Sequence, residues 1–159
     1  MTQAAMAITS VAVAASFLCG MMVQSARSSE AEAKKDVRVT GIGGVFFKAH
    51  DAPKLAAWYR EHLGIMSEGG FHTFEWLEKE DSSKTGSTTW AIFPETTKYF
   101  GASKSPLMIN YRVANLDYVL AQLRKEGVQV DEKVQDESYG KFGWATDPEG
   151  NRFELWEPK

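Results

Sequence analysis

The stretch Tyr139-Gly-Lys-Phe-Gly-Trp-Ala-Thr-Asp-Pro-Glu-Gly-Asn-Arg-Phe-Glu-Leu-Trp-Glu-Pro158 decides the fold. Asp147-Pro-Glu-Gly150 has turn chemistry at each corner: Asp suits the first, Pro pre-sets φ at the second, and Gly tolerates the fourth. Alternating, aromatic-rich runs flank it, so the stretch predicts a β-hairpin. In its second strand Glu154 lies on the face opposite Phe153 and Leu155. A carboxylate there is either solvated or aimed into a cavity, and the functional reading depends on which.

Outward from this hairpin, the chain of 159 residues is long enough for one domain with a real core. A net charge of −3 and no basic stripe exclude electrostatic nucleic-acid binding as the general mode. The lone Cys19 excludes an internal disulfide and a thiolate cluster. His50, His62 and His72 are too scattered for a local metal motif.

Residues 1–26 carry no charged side chain, and 4–23 are almost wholly apolar or small. This length suits a secretory signal peptide or a membrane anchor, followed by a polar linker over 27–36. The start lacks a basic n-region, cleavage after Ser25 is acceptable, and Phe17-Leu18 argue against a lipoprotein at Cys19. Export or membrane anchoring is the expected localisation. The alternative is a cytoplasmic protein with an upstream extension.

From residue 37 a strand carries Gly41, Gly43 and Gly44, a mark of a bulge or a close approach. A dinucleotide loop is excluded, because Phe46 stands where a further glycine is needed. Asp51-Ala-Pro53 opens a helix in which Leu55, Trp58, Tyr59, His62 and Leu63 form one apolar stripe, so His62 is expected in the core. Gly64 ends it. Residues 71–77 and 87–93 predict two antiparallel strands. A connector over 95–106 carries Tyr99 and Phe100, which either pin it down or cover a pocket. The order then repeats: a strand over 107–113, Asn115 as cap, a stripe of Leu116, Val119, Leu120 and Leu123, and Gly127 as stop. Two copies of strand–helix–strands, neither able to bury itself alone, predict two halves packed as one unit.

With these residues in hand, Gly43-Gly-Val-Phe-Phe-Lys-Ala-His-Asp-Ala-Pro-Lys-Leu-Ala-Ala-Trp-Tyr-Arg-Glu-His-Leu-Gly64 resembles the opening of a vicinal-oxygen-chelate domain. Asp147-Pro-Glu-Gly-Asn-Arg-Phe-Glu-Leu-Trp156 is similar to the same family's closing signature. The family includes glyoxalase I, bleomycin- and fosfomycin-resistance proteins and extradiol dioxygenases. The resemblance implies an α+β fold over 37–158, with module one at 37–94 and module two at 107–158. It would consist of two βαβββ modules forming a curved, half-open mixed β-sheet cup with helices on the outer face. The cup closes either within one chain or across a homodimer, since family members do both.

Metal-using members place ligands on the first and last strand of each module, commonly His or Gln, Glu, His and Glu. Carried over, these positions fall on Gly44, Trp90, Met108 and Glu154. Only Glu154 is a ligand type, and one carboxylate does not hold a catalytic divalent metal. No cofactor is therefore expected, with a divalent metal as the alternative. His72 and Glu75 alternate to opposite faces and do not rescue the site.

If Glu154 faces the cup, alternation brings Arg152, Trp156, Met108, Asn110 and Arg112 inward with Trp90 and Ile92, and Glu75 is a second pocket acid or a rim charge. Apolar walls with a few convergent polar groups suit a small organic molecule. The expected function is a metal-independent small-molecule-binding cup with acid–base chemistry on Glu154. A metal-dependent lyase, isomerase or dioxygenase of the glyoxalase type is one alternative. The other is a non-catalytic interaction module tethered through residues 4–23, favoured if the pocket is filled by its own side chains. A buried strut in which Glu154 pairs with Arg112 or Arg152 stands beside all three.

Overall fold

Local chemistry sets the element boundaries. The computed structural model describes residues 38–79 and 81–159; the leader, the linker and Val37 lie outside the described residues. The order is β1 (Val39–Ala49), α1 (Ala52–Leu63), β2 (Phe71–Leu77), β3 (Thr85–Pro94), β4 (Leu107–Val113), α2 (Leu116–Lys125), β5 (Gln129–Glu137), β6 (Gly140–Thr146) and β7 (Arg152–Pro158). The side chains of Asp51 and Asn115 cap the two helices, accepting from the Lys54 and Tyr118 amides. Gly64 closes α1 at φ 68°, in the left-handed region that favours glycine. In the Asp147 turn, Oδ1 accepts from the Glu149 and Asn151 amides. Among the described residues no helix is long and apolar enough to cross a membrane.

The seven strands form one sheet in the order β2-β3-β1-β4-β7-β6-β5. β1 pairs antiparallel with β4, so the two modules join within one chain. Each module repeats one plan: its last strand, β3 or β7, runs parallel to its first, β1 or β4. The α+β fold of two modules with outer helices is the expected one, with a difference in module one. Its run from Gly64 to Phe71 makes a turn at Gly69 and Gly70, both with positive φ, and contributes one isolated bridge, Glu68 to Phe71. Module one is therefore βαββ, and only module two is a full βαβββ unit.

The sheet curls. β4 and β2 are three strand steps apart, about 14 Å in a flat sheet. Yet Arg112 on β4 pairs at 2.7 Å with Glu78, just past the end of β2. The inner face holds Phe46, Ala91, Met108 and Trp144 with Phe100 of the connector. On the outer face, α2 buries Leu116, Val119 and Leu120 against Val113 and Leu155.

The α1 stripe behaves differently. Tyr59 packs on Phe47 and Trp90, but no α1 residue is fully buried, and Leu63 is 61 % exposed. His62, expected in the core, is exposed and lies against Trp58. Four-residue periodicity puts a side chain on the stripe but cannot say whether the sheet extends beneath it.

Candidate functional site

The terminal hairpin puts Glu154 opposite Trp144, and the parallel β4–β7 pairing puts it beside Asn110. All three share the inner face. Glu154 is 1 % exposed, so its carboxylate is neither solvated nor at the wall of an open cavity. Oε1 accepts from Asn110 Nδ2 at 2.5 Å, and Oε2 from Trp144 Nε1 at 2.8 Å and from the Tyr99 hydroxyl. Burial pushes its carboxyl above the usual carboxylate range, against the pull of those three hydrogen bonds and the Arg152 charge. The Tyr99 hydroxyl is pushed up as well, first by burial and then by the Glu154 charge, so it keeps its proton and donates.

Tyr99 belongs to the connector, which is folded over the inner face. Phe100 is fully buried there, and Phe93 stacks on Tyr99 at 5.2 Å. Arg152 fastens the segment: Nη1 donates to the Tyr99 carbonyl, Nη2 pairs with Asp131 at 2.5 Å, and the guanidinium lies 4.9 Å over the Trp144 ring. Of the two roles open to Tyr99 and Phe100, pinning and covering, they perform both.

The predicted site residues separate. Glu154, Asn110 and Met108 come together, with Met108 packed in the inner core. Trp156 shares the inner face but stacks on Phe142. Its Nε1, like Asn110 Oδ1, is buried with no partner among the described residues. Arg112 pairs with Glu78 rather than Glu154. Glu75 is exposed on the edge strand, away from this cluster. Trp90 is a correction: the pairing Phe46↔Ala91 puts Ala91 inside and turns Trp90 outward, 4.9 Å from Tyr59 of α1. Ile92 goes with it by alternation.

The same registers correct the symmetry. Gly44 pairs with Asn110 across the module junction, and Thr89 beside Gly44 matches Glu154 beside Asn110. The four equivalent points are thus Gly44, Thr89, Asn110 and Glu154, with Asn110 and Thr89 replacing Met108 and Trp90. The β1 point stays at Gly44, and the β4 point moves two residues along the same face, from Met108 to Asn110. A Cβ on Gly44 would come 2.5 Å from the Phe46 ring, so that ring occupies the space of a ligand side chain. This set does not fit a metal centre. One point has no donor, Asn110 turns its amide N–H to Glu154, and three donors already occupy the carboxylate. Among the described residues, no three His, Cys, Asp or Glu side chains are placed to hold an ion.

Sequence reasoning missed Trp144 and the latch role of Tyr99. The four-residue turn Asp147–Gly150 would pair 144 with 153, but the hairpin closes as a five-residue loop from Asp147 to Asn151 and pairs Trp144 with Glu154. The fold of the connector had no sequence signal.

Open volume lies elsewhere. A cleft of about 610 Å³ at the strand ends is lined by Ile42, Trp76, Lys79, Arg112 and Glu157, among others. Glu157 caps α2 by accepting from the Leu116 amide at 2.6 Å.

A curled sheet of paired modules with outer helices defines the vicinal-oxygen-chelate class of protein. Solved structures share it. Methylmalonyl-CoA epimerase from Mycobacterium tuberculosis matches with TM-score 0.52 and 19 % identity over 78 % of this chain and 91 % of that one. A Streptomyces coelicolor methylmalonyl-CoA epimerase variant, in complex with 2-nitronate-propionyl-CoA, matches with TM-score 0.54 and 18 % identity, covering 76 % and 98 %. At these identities the likeness is one of fold. No curated protein matches the sequence significantly. The model of the glyoxalase-like domain family matches residues 44–156, and the chain belongs to that family.

Proposed function

We propose that this protein is a metal-independent, small-molecule-binding member of the glyoxalase-like family. In this reading Glu154 is a structural strut, and ligand is held in the strand-end cleft. The observation that carries the reading is that both oxygens of Glu154 are taken by Tyr99, Asn110 and Trp144 at 1 % exposure. An acid sealed this way has no path to a substrate. The cleft, by contrast, has the size of a ligand pocket and combines Trp76 and Ile42 with the cations Arg112 and Lys79. That chemistry suits a small carboxylate with an aromatic or apolar body: the body lies on Trp76, and the anion competes with Glu78 for Arg112.

Titrating the full chain with cinnamate and phenylacetate, read by tryptophan fluorescence, tests this. Arg112→Gln should weaken binding about tenfold, as loss of one charged hydrogen bond predicts. Glu154→Gln should leave it unchanged. Saturable binding lost in Glu154→Gln and kept in Arg112→Gln would move the site back to the inner face. Stoichiometric tight zinc or nickel in the purified protein would end the metal-independent reading.

One observation favours a second reading, acid–base chemistry on Glu154. Its raised carboxyl is held by a hydroxyl on a connector without regular secondary structure. Lifting that connector would expose a protonated acid. Turnover of an added thioester or hemithioacetal, absent in Glu154→Gln, distinguishes this reading from the first. Export or anchoring through residues 4–23 is part of the proposal and is tested by N-terminal sequencing and fractionation of the expressed protein.

A further inference from the structure

The sheet has two edges, and they are built differently. β5 is a guarded edge: Asp131, Glu132, Lys133, Asp136 and Glu137 make five charges in nine residues. Arg152 and Lys159 pair with two of them. Charge on an edge strand blocks pairing with another chain. β2 reads Phe71-His-Thr-Phe-Glu-Trp-Leu77, with Glu75 its one carboxylate and no lysine or proline. Phe71, Phe74, Trp76 and Leu77 are all exposed, Leu77 at 65 %. β2 pairs with β3 on one side, and among the described residues its outer side meets only the Glu68 bridge at Phe71.

The backbone sets which groups face out. The Gly70 carbonyl accepts from the Ile92 amide, toward β3, whereas the Phe71 N–H and C=O exchange bonds with Glu68, away from it. Alternation then turns the backbone groups of Thr73, Glu75 and Leu77 outward. Among the described residues these main-chain donors and acceptors have no partner, on a strand whose side chains are mainly apolar.

We propose that β2 is a docking edge for a second copy of this chain, joined antiparallel about a two-fold axis at Phe74. In that register Thr73 exchanges both backbone bonds with Glu75 of the second copy, and Glu75 does the same with Thr73, four bonds in all. Phe74 faces its own counterpart, and His72 faces Trp76, which forms one aromatic row on a single face of the joined sheet. Of the two neighbouring two-fold registers, the one centred on Glu75 would set Glu75 against Glu75, a like-charge pair directly opposed, and the one centred on Thr73 would set Glu75 against Phe71, whose backbone groups already bond Glu68. At the Phe74 register Glu75 meets the neutral Thr73, whereas centred on Glu75 the strand repels itself. The module asymmetry supplies the space, because β6 is covered by β5 while among the described residues its counterpart β2 has no covering strand. This inference does not depend on the ligand reading.

The test uses the full chain with Cys19→Ser, so that any thiol is an introduced one. At a non-hydrogen-bonded pair the Cα atoms stand about 4.5 Å apart, within disulfide range. Phe74→Cys should therefore cross-link to a dimer on mild oxidation, whereas Tyr118→Cys, exposed on α2, should not. The wild-type chain should sediment as a dimer, with Phe74→Lys raising the dissociation constant at least about tenfold. Cross-linking at Phe74 no greater than at Tyr118 would overturn the proposal. So would a monomeric wild type at high concentration, or a dimer indifferent to Phe74→Lys.

Discussion

Module two and module one follow the same plan and put it to different uses. In module two, four strands and α2 enclose a core of their own, and three side chains of α2 are fully buried. Its acid, Glu154, is sealed among three donors. In module one, three strands carry α1, none of whose residues is fully buried, and its acid, Glu75, stands in solvent on an open edge. The difference teaches that pseudo-symmetry duplicates the backbone pattern but not the energetics. One half anchors the fold, and the other exposes surface.

The sharpest way to break this comparison is to truncate both acids. Glu154→Ala leaves the Tyr99, Asn110 and Trp144 donors buried without an acceptor and should cost at least about 3 kcal/mol, at about 1–3 for each of the three unsatisfied groups. Glu75→Ala should stay within about 0.5 kcal/mol, as surface changes do. Urea unfolding followed by circular dichroism measures both, and equal costs would dissolve the contrast. The helices give the next largest difference. Leu120→Ala under α2 should cost about 2–4 kcal/mol as a core cavity. Leu63→Ala on α1 should cost a small fraction of that. The same unfolding curves decide it.

The smallest effect is the most specific. Because burial raises the Glu154 carboxyl in the folded state, that state holds its proton over a range where the unfolded chain has released it. The contribution of this group to stability is fully present below its ordinary value of 4.5 and is lost as pH rises through the folded value. Glu154→Gln removes the titration. Its urea midpoint relative to wild type should therefore rise between pH 4 and neutrality. The new amide can also donate to Asn110 Oδ1 once the Asn110 amide turns, which gives that atom the partner it lacks. A flat difference would mean that Glu154 ionises as freely as a solvated acid.

Much of the fold was legible because it depends on local rules. Asp51, Asn115, Gly64 and the Asp147 turn each specify backbone geometry within a few residues. The site was less legible, because it depends on register. Trp90 differs from Thr89 and Ala91 by one residue, and one residue reverses the face. On β4 the miss was two residues, Met108 for Asn110, which keeps the face but changes the strand partner from Phe46 to Gly44. The fourth strand of module one was implied by the family resemblance, and the turn at Gly69 and Gly70 stands in its place. No period or motif announces that a connector of mixed composition folds inward to place Tyr99 on a carboxylate. That contact joins residues 55 positions apart and exists only after the sheet has curled.

The Phe46 ring beside Gly44 has a consequence for the history open to this sequence. A histidine introduced at Gly44 would collide with the ring at 2.5 Å and approach the Thr89 carbonyl at 3.1 Å, so it cannot be gained alone. Shrinking Phe46 first would hollow the inner core before any ligand arrived to use the space. Each single change is unfavourable by itself, so Gly44 and Phe46 hold each other in place. The glycine and the phenylalanine act together as a ratchet.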